Sequence, residues 1–453
     1  MIIALPKKVG FIIDTLTQAG YEAYAVGGCI RDSMMGRIPK DWDITTSAKP
    51  PEVKAVFPKT INTGEKHGTV TVMVGREGFE VTTYRIDGEY EDSRHPKEVT
   101  FTPDLLEDLK RRDFTINAMA YNEAAGLVDA FDGMGDLDRK VIRCVGDSRQ
   151  RFEEDALRMM RAVRFAAELG FSIEESTQEA IRDLSSDLEN ISAERIQAEL
   201  VKILVSPHPE RLRTLYELGI THVILPEFDA MMQTEQNHPH HMYSVGEHTV
   251  AALRQIADDK VLRLAMLFHD VAKPLCRTSG EDGFDHFYHH PKLGGRLARE
   301  IMRRLKFDNN TTDAVCRLVA GHDDNPLPEE KYVRRAMVRI GIEAYPAIFE
   351  IKKADILSQS GYKRSEKLQY LEEYRACYLR IIKAKQCLTL KELAVTGRDL
   401  IAIGIRPGPD LGKLLQELFG EVLEDPDKNT KPYLIEKAKT IYKQEFYGKG
   451  SIN

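Results

Sequence analysis

A pair of glycines followed by two closely spaced aspartates constrains the first part of this chain more than any other feature. Gly27-Gly28 lets the backbone approach a phosphate group, because no Cβ stands in the way. Asp41 and Asp43 lead into the strand-favouring residues 44–46. On a strand, positions i and i+2 point to the same side, so we expect both carboxylates to face one point. Either feature alone can also be interpreted as a glycine turn before a polar strand end. The glycine pair and the aspartate pair in this order favour a functional site.

The two aspartates predict a magnesium site. Carboxylates side by side repel each other unless a cation lies between them, and Mg²⁺ binds through one or two carboxylates plus the phosphates of a substrate. We interpret Asp41 and Asp43 as ligands of a two-metal site for nucleotidyl transfer. A third carboxylate is usual in such sites. Glu80 is the candidate, although a solvated strand residue is an equally good interpretation of it.

The composition is that of a globular protein, with 42% hydrophobic and 30% charged residues in 453 positions. No apolar run approaches membrane-spanning length, and the N-terminus shows no basic-then-apolar signal pattern, so we expect a cytoplasmic protein without a membrane partner. The six cysteines form no CxxC pair, which argues against a zinc knuckle or a disulfide framework. The net charge of −7 argues weakly against a broad nucleic-acid binder, but basic residues can cluster on one face.

Changes in the secondary-structure pattern divide the chain into four predicted domains. The first part mixes a helix over 7–19 with a hairpin of strands 69–74 and 79–84, joined by residues 75–78. From about residue 148 the pattern is almost entirely helical. The predicted fold class is therefore an α+β head followed by all-α domains. The predicted ranges are 1–147 for the head, 148–225 for a helical neck, 226–388 for a histidine-rich helical domain and 389–453 for a helical tail.

Two further segments are candidates for holding a nucleotide. Asp113 and Asn117 share a face if they lie on one helix, and together with Arg112 they can hold a triphosphate and a ribose. Asp155 and Arg158 are three apart on a predicted helix. A carboxylate accepts from an exocyclic amino group and arginine donates to ring nitrogens and carbonyls, so this pair can read a base without a nucleic-acid template. A capped helix start and a local ion pair are the alternatives.

These segments resemble, in the same order, those of the class II CCA-adding tRNA nucleotidyltransferases of bacteria. The resemblance covers residues 20 to 225 and resumes near the C-terminus. The stretches that carry it are Gly27-Gly28-x-x-Arg31-Asp32, Asp41-x-Asp43, Arg111-Arg112-Asp113-Phe114-Thr115-Ile116-Asn117-Ala118, Glu154-Asp155-x-x-Arg158 and Ala193-Glu194-Arg195-Ile196-x-x-Glu199-Leu200.

The resemblance implies a polymerase-beta-like head, a neck that selects CTP and then ATP, and body and tail domains that bind tRNA. The implied reaction adds and repairs the 3′-terminal CCA of tRNA, releases pyrophosphate and uses two Mg²⁺ ions. The expected catalytic residues are Asp41, Asp43 and Glu80. The residues expected to bind the nucleotide are Gly27, Gly28, Arg31, Arg112, Asp113, Asn117, Glu154, Asp155 and Arg158. The sequence makes no prediction of oligomeric state.

Related activities differ in two segments. Bacterial poly(A) polymerases share this head but resemble one another in a Gly-Arg-Arg-Phe type stretch, where this chain has residues 62–69. Enzymes that add only the two cytidines resemble this family but have a shortened loop where this chain has the full segment 85–96. Its glycine and many charges suit a mobile lever for the switch from CTP to ATP. Complete CCA addition is therefore favoured, with an A-adding or CC-adding enzyme as the alternative.

Histidines and carboxylates form a second candidate metal centre. The string 269–273, His-Asp-Val-Ala-Lys, resembles the signature of HD-superfamily phosphohydrolases, and the wider order resembles the members with two metals. The expected ligands are His248, His269, Asp270, His290, His322 and Asp355. Such ligands suit Mn, Fe, Ni or Co. The implied activity is hydrolysis of a phosphoester, such as a 2′,3′-cyclic phosphate on an RNA end; a degenerate domain kept for packing or tRNA contact is the alternative. We interpret His238, His240 and His241 as loop residues.

In the tail, prolines and glycines over 404–413 predict the end of one helix and the start of another. The new helix start can hold an RNA phosphate or can be a plain turn. Three functions stay open: a nucleotidyltransferase, a phosphohydrolase with a vestigial head, and an RNA-binding protein without chemistry. The intact Asp41, Asp43, Asp155 and Arg158 favour the first.

Overall fold

The computed structural model describes residues 2–88 and 99–444. The chain forms two compact units, one of Met1–Ala230 with Arg304–Phe307 and one of Met231–Arg303 with Asp308–Asn453. The first unit contains the predicted head and neck, and the second contains most of the histidine-rich domain and the tail. The four-domain division itself stays a prediction. Most of the predicted lever, residues 89–96, lies outside the described residues.

The first unit is built on a mixed sheet. Its strands, with a few short ones outside that sheet, are β1 (Ala23–Val26), β2 (Asp43–Thr46), β3 (Thr60–Gly64), β4 (Thr69–Val74), β5 (Glu77–Thr83), β6 (Arg85–Asp87), β7 (Val99–Phe101), β8 (Met119–Asn122), β9 (Gly126–Asp129), β10 (Val141–Ile142) and β11 (Ser172–Ile173). The seven strands of the main sheet have the order β3-β4-β5-β2-β1-β8-β9. Strands β2 and β5 are parallel, and the other neighbouring pairs are antiparallel.

The helices of this part of the chain belong to the head and the neck. They are α1 (Lys7–Gln18), α2 (Gly28–Met34), α3 (Pro50–Val56), α4 (Leu105–Lys110), α5 (Gly133–Arg139), α6 (Ser148–Glu154), α7 (Leu157–Leu169), α8 (Glu175–Leu184), α9 (Ala193–Leu204), α10 (Leu212–Glu217), α11 (Ile220–Ile224) and α12 (Pro226–Met232). The last of them, α12, runs across the boundary into the second unit. The apolar spacing that predicts α1 is confirmed, because Val9, Ile12, Ile13 and Leu16 are all buried.

The β4–β5 hairpin is confirmed, but its turn is shorter than predicted. Val70 and Val72 are buried while the threonines beside them are partly exposed, as alternation on a strand requires. Val74 pairs with Glu77, so the connection is Gly75-Arg76 alone. Gly75 has a φ of 69°, which a tight two-residue turn needs.

The second unit is largely helical, as predicted. Its helices are α13 (Val245–Leu253), α14 (Lys260–Phe268), α15 (Lys273–Cys276), α16 (His290–Arg304), α17 (Asn309–Gly321), α18 (Glu330–Ile340), α19 (Tyr345–Ser358), α20 (Arg364–Lys383), α21 (Gly397–Ala402), α22 (Pro409–Glu424) and α23 (Lys431–Tyr442). It also contains a small hairpin of β12 (Arg277–Ser279) and β13 (Asp285–Phe287). In the described residues, no helix has both the length and the apolar character needed to cross a bilayer.

The start of α22 at Pro409 confirms the predicted change of helix in the tail. Gly408 before it has a φ of 151°, a value that L side chains rarely adopt. The tail helices pack through an apolar core that includes Leu400, Leu414 and Leu434.

A buried arginine attaches the tail to the rest of the second unit. Arg334 in α18 is 3% exposed. Its Nε donates to the carbonyl oxygen of Leu423 at 2.7 Å, and its Nη2 donates to that of Glu424 at 2.9 Å. Arg334 therefore satisfies backbone acceptors at the end of α22 that no helical N–H can reach.

Replacing Arg334 by methionine keeps most of the side-chain stem and removes the donors. We expect Arg334→Met to lower the free energy of unfolding of the second unit by about 2–4 kcal/mol, because the buried carbonyl of Leu423 and the partly buried carbonyl of Glu424 lose a charged donor. Urea unfolding followed by circular dichroism measures this change. Arg335→Met is the control, since Arg335 pairs with Glu424 at the surface. Equal effects of both changes would contradict the structural role of Arg334.

Candidate active site and metal centre

The structure brings the predicted catalytic carboxylates together. Asp41, Asp43 and Glu80 line one open cavity of about 940 Å³. Asp43 begins β2 and Glu80 lies in β5, and the parallel register of these strands pairs the residues that follow, Ile44 and Val81. Partial burial raises the pKa of Asp43; Arg112 opposes the increase, and the charges of Glu80 and Asp41 add to it. Carboxylates that disfavour each other's ionisation form a donor set that fits a divalent cation.

The glycine turn lies close to these carboxylates, because it follows Val26, the residue of β1 that pairs with Asp43 of β2. Gly27 follows β1 with a φ of 84° and precedes α2. A Cβ at Gly27 would lie 3.1 Å from Nη1 of Arg112, so a side chain there would displace that guanidinium. Arg31 in α2 is buried, and its Nη1 donates to Oδ1 of Asn117 at 2.7 Å. These contacts place Gly27, Arg31, Arg112 and Asn117 in one group.

Asp113 joins this group to the neck. Its Oδ1 accepts a hydrogen bond from Asn117 Nδ2 at 3.3 Å, and its Oδ2 accepts from Nε and Nη2 of Arg161 in α7 at 2.8 and 2.5 Å. Burial opposes ionisation of this carboxyl, but Arg161 and Arg158 lower its pKa to about 2. Asp113 is therefore a charged, buried link between the head and α7.

Asp113 and Asn117 do not lie on one helix. Phe114 is extended, with φ −127° and ψ 148°, and only a short 3₁₀ turn, Thr115–Asn117, follows. The Asp113 side chain accepts the Phe114 N–H at 2.8 Å, and Phe114 forms an isolated β-bridge with Cys144. Asp113 and Asn117 still meet, because the 3₁₀ turn reverses the chain between them.

A carboxylate that the sequence analysis did not single out holds the neighbouring arginines. Asp108 in α4 is fully buried. It accepts hydrogen bonds from Arg111 Nε at 3.0 Å and from Thr45 Oγ1 at 3.1 Å, and Arg112 Nη2 lies 3.5 Å away. Burial works against its ionisation, but both arginines lower its pKa. The spacing in the sequence could have indicated this contact, because Asp108 precedes Arg111 by three residues and Arg112 by four.

The predicted helix through Asp155 and Arg158 is wrong. Helix α6 ends at Glu154 and α7 begins at Leu157, with Asp155 extended at φ −147° and ψ 100°. Asp155 Oδ1 accepts the N–H of Leu157 at 3.1 Å, so the side chain caps the new helix. Its Oδ2 accepts from Arg195 Nη2 in α9 at 2.7 Å. Arg195 is the residue in the last resembling stretch that fixes Asp155.

Arg158 is fixed from three sides. Its Nη1 donates to Glu154 Oε2 at 2.6 Å and to the carbonyl oxygen of Arg151 at 3.1 Å. Its Nη2 donates to the carbonyl oxygen of Arg111 at 3.1 Å, which ties the guanidinium back to the head. The candidate base-reading pair is thus oriented by the protein itself, as a selective site requires.

The expected ligands of the second centre converge inside the second unit. The ligand atoms of His248, His269 and Asp270 lie within 4.8 Å of one another, and so do those of Asp270, His290 and His322. All five residues are buried. Asp355 joins the first group, with Oδ1 2.9 Å from Nε2 of His248. Asp270 belongs to both groups, which is the position of a bridging carboxylate between two cations.

Backbone carbonyls set the tautomers of these histidines. Nδ1 of His269, His290 and His322 each lies 2.7 Å from a carbonyl oxygen three residues earlier. A carbonyl only accepts, so Nδ1 carries the hydrogen and Nε2 faces inward. Nε2 of His269 lies 3.3 Å from Nε2 of His248. Burial opposes protonation of His269, but Asp270 raises its pKa; burial lowers the pKa of His322. This donor set fits transition-metal ions.

The structure places further residues beside this centre. Lys273 is buried, and its Nζ lies 2.7 Å from Asp270 Oδ2. His238, His240 and His241, which we interpreted as loop residues, line a cavity of about 350 Å³ together with Asp270 and Asp355. Burial lowers the pKa of His241 to about 3, so its ring is neutral at pH 7. The spacing of these three histidines gave no periodic signal by which the sequence could place them.

Removing single ligands should show how many ions the second centre holds. We expect His269→Ala to lose one equivalent of bound Mn, Co, Ni or Fe, and Asp270→Ala to lose both, because Asp270 belongs to both ligand groups. Elemental analysis after dialysis measures the content, with circular dichroism as the test of folding. His222→Ala is the control, since the side chain of His222 is 82% exposed. Wild-type metal content in folded Asp270→Ala would reject the centre.

Three family models match successive parts of the chain. They are the poly A polymerase head domain over residues 23–143, the probable RNA and SrmB-binding site of polymerase A over 170–232, and domain 2 of tRNA nucleotidyltransferase over 278–438. The family model that matches the head is named for the poly(A) polymerases. The relatives that match along almost the whole chain are named as CCA-adding enzymes.

The CCA-adding enzyme of Lactobacillus helveticus is 37% identical over 94% of this chain and 94% of its own length. That of Geobacillus kaustophilus is 36% identical over 95% of this chain and 96% of its own length. The crystal structure of the Bacillus stearothermophilus CCA-adding enzyme in complex with CTP superposes with a TM-score of 0.73 at 30% identity, covering 96% of this chain and 98% of that one. The Thermotoga maritima CCA-adding enzyme complexed with tRNA-CCA shares the fold, at a TM-score of 0.59 and 21% identity. The chain therefore belongs to the family of class II CCA-adding enzymes.

Proposed function

We propose that this protein is a template-independent nucleotidyltransferase that adds and repairs the 3′-terminal CCA of tRNA, using CTP and ATP and releasing pyrophosphate. The observation that carries the proposal is the continuous set of contacts in the first unit. It runs from the phosphate-side residues Arg31 and Asn117 through Asp113 to the neck. Its relatives of similar length are named for CCA addition.

The carboxylates Asp41, Asp43 and Glu80 would hold two Mg²⁺ ions. When bound, Mg²⁺ lowers the pKa of the attacking hydroxyl and neutralises charge on the leaving pyrophosphate. Arg31 and Arg112 bring positive charge to the triphosphate, and Gly27 lets the backbone come close to it. The 3′-oxygen of the RNA forms a bond to the α-phosphorus while the bond from that phosphorus to the β-phosphate oxygen breaks. The reaction needs no covalent intermediate with the protein.

Asp155 and Arg158 would select the base. Cytosine and adenine each present an amino donor beside a ring-nitrogen acceptor, whereas uracil and guanine present a carbonyl acceptor in place of that amino group. A carboxylate with an arginine matches the first pattern and leaves unpaired groups with the second. Because Arg195 and Glu154 hold the pair, the selection comes from the protein.

Complete CCA addition is the form of the activity that we propose. It rests on the full-length segment 85–96, whose start is anchored in the described part of the head. The N–H of Arg85 points to Asp108 Oδ1 at 3.4 Å, and its Nη1 donates to the carbonyl oxygen of His67 at 2.5 Å. Asp108 also holds Arg111, whose carbonyl accepts from Arg158, so the lever and the base-reading residue share one support.

A second activity, hydrolysis of a phosphoester at an RNA end, is favoured by the metal centre of the second unit. Its converging Nε2 atoms and shared Asp270 form a site for two metal ions, and Lys273 adds a positive charge for a phosphate. The two activities are assigned to separate units of the chain.

Nucleotide incorporation tests the proposal. With Mg²⁺ and a tRNA lacking CCA, we expect CTP plus ATP to give two cytidines and one adenosine, then a stop, as read by sequencing of the 3′ end. Asp41→Ala should abolish transfer, because a metal ligand is lost, and should leave any phosphoester hydrolysis intact.

His269→Ala is the reciprocal control and should leave transfer unchanged. Cytidines alone, or adenosine added only to a tRNA ending in CC, would reduce the assignment to a partial enzyme. Long adenosine tails would identify a poly(A) polymerase. Transfer by Asp41→Ala at the wild-type rate would reject the catalytic assignment.

A further inference from the structure

Two cavities meet at the candidate metal centre of the second unit. The first, of about 350 Å³, has the expected ligands Asp270, His290, His322 and Asp355 in its lining. The second, of about 570 Å³, has Asp355 alone of the six expected ligands, all of which lie in the described residues. The residues that line both are His240, His241, Asp323, Asp355 and Gln359. The second cavity therefore begins at one edge of the metal centre and extends away from it.

The walls of the second cavity suit the carbon skeleton of an organic group. Leu327, Ile356 and Leu371 give it apolar surface, and Tyr370 adds an aromatic ring. The lining of the first cavity is richer in histidines and carboxylates, which suit metal ions. A phosphoester whose phosphoryl group lies at the metal centre can therefore extend its alcohol side into the second cavity.

The lining of the second cavity includes a buried lysine. Lys352 in α19 is 7% exposed, and its Nζ donates to Oδ1 of Asn325 at 2.8 Å. An ammonium group has three N–H donors, so this bond leaves two of them for another acceptor. Within residues 2–88 and 99–444, no carboxylate forms an ion pair with Lys352. Lys352 precedes Asp355 by three residues in the same helix, so the two side chains share a face.

Burial makes Lys352 a readier proton donor than an exposed lysine. Desolvation lowers the pKa of its ammonium group, and the charges of Asp323, Asp355 and Asp324 oppose the decrease. General acids are most effective when their pKa lies near the working pH, so a lower pKa improves proton donation by a lysine. Because no ion pair holds this proton, it is available to an oxygen that is bound in the cavity.

We propose that the second cavity receives the alcohol side of the phosphoester and that Lys352 donates a proton to the leaving oxygen. A water oxygen forms a bond to phosphorus while the bond from phosphorus to the alcohol oxygen breaks. That alcohol oxygen takes a proton from Nζ of Lys352. The water releases one proton to solvent and keeps the other as a hydroxyl of the phosphate, and the lysine amine regains a proton from solvent. This proposal rests on the proposed hydrolysis by the second unit.

The leaving group of the substrate tests the role of Lys352. The oxygen of a ribose needs a proton as its bond to phosphorus breaks, whereas 4-nitrophenolate leaves without one because its charge is delocalised. We expect Lys352→Met to lower kcat for a 2′,3′-cyclic nucleotide by about 100-fold, and kcat for bis(4-nitrophenyl) phosphate by less than about threefold. Lys353→Met is the matched control and should leave both rates near wild type, since Lys353 is the next residue of the same helix and is exposed.

Binding of 4-nitrophenol gives a readout that does not depend on catalysis. Its phenolate form has a visible absorption band that the phenol lacks. Beside the ammonium group of Lys352 it should ionise at a lower pH than in solution, because a positive charge favours the phenolate. At mildly acidic pH we expect the wild-type protein to increase this band. Lys352→Met should bind the phenol, as measured by calorimetry, without increasing the band.

A second variant separates the charge of Lys352 from its proton. Lys352→Arg keeps a positive charge and N–H donors, but a guanidinium does not give up its proton near neutral pH. We expect it to increase the phenolate band as the wild type does and to hydrolyse the cyclic nucleotide as slowly as Lys352→Met. Circular dichroism and elemental analysis check that both variants keep the fold and the metal content of the wild type.

Two results would overturn the proposal. The first is an equal fall in kcat for the two esters in a folded Lys352 variant with wild-type metal content, which would make the lysine a structural residue. The second is an increase of the phenolate band in Lys352→Met equal to that in the wild type. A wild-type protein that increases the band but hydrolyses neither ester would instead reject the proposed hydrolysis and keep the binding cavity.

Discussion

The ion pair between the buried Asp113 and the partly exposed Arg161 is the interaction on which the architecture of the first unit depends. A buried carboxylate is costly unless it is paired, and here the pairing residue comes from a different part of the fold. Through Asn117, the same carboxylate orients Arg31 beside the glycine turn. Asp108, earlier in the chain, is a second buried carboxylate and forms ion pairs with Arg111 and Arg112. Because these pairs cannot break singly without leaving a buried charge, the phosphate-side arginines and the neck hold one arrangement.

The candidate metal centre of the second unit depends on a related constraint. Backbone carbonyls fix the ring tautomers of His269, His290 and His322, and this leaves the Nε2 atoms facing a common point. In both units the groups to which we assign chemistry are thus oriented by neighbouring groups of the protein. Asp155 is held by Arg195 and Arg158 by Glu154 in the same way. The neck can therefore present one fixed hydrogen-bonding pattern to an incoming base.

The sequence predicted the helices and strands that follow from a periodic apolar pattern. It missed the local structure where a polar side chain interrupts such a pattern. Helix α1 and the β4–β5 hairpin follow from apolar spacing, and the resemblance placed the carboxylates and histidines in their order. The helix predicted through Asp155 is wrong because its side chain accepts the N–H of Leu157, where a new helix starts. Asp113 and Asn117 do not share a helix because Phe114 between them is extended. Arg161 and Arg195 lie far along the chain from Asp113 and Asp155, the residues that they support. Asp108 is likewise far from Thr45, although Arg111 and Arg112 follow it closely. No local pattern reveals such long-range pairs. His241 reaches the metal centre by a loop path that carries no periodic signal.

We propose that the protein alone, without nucleic acid, reads the base through Asp155 and Arg158. Calorimetric titration of each nucleoside triphosphate into RNA-free protein with Mg²⁺ tests it most directly. We expect CTP and ATP to bind, UTP and GTP to bind at least about tenfold more weakly, and Arg158→Met to remove the difference. Equal binding of all the nucleotides to the wild-type protein, or discrimination that persists in folded Arg158→Met, would contradict it.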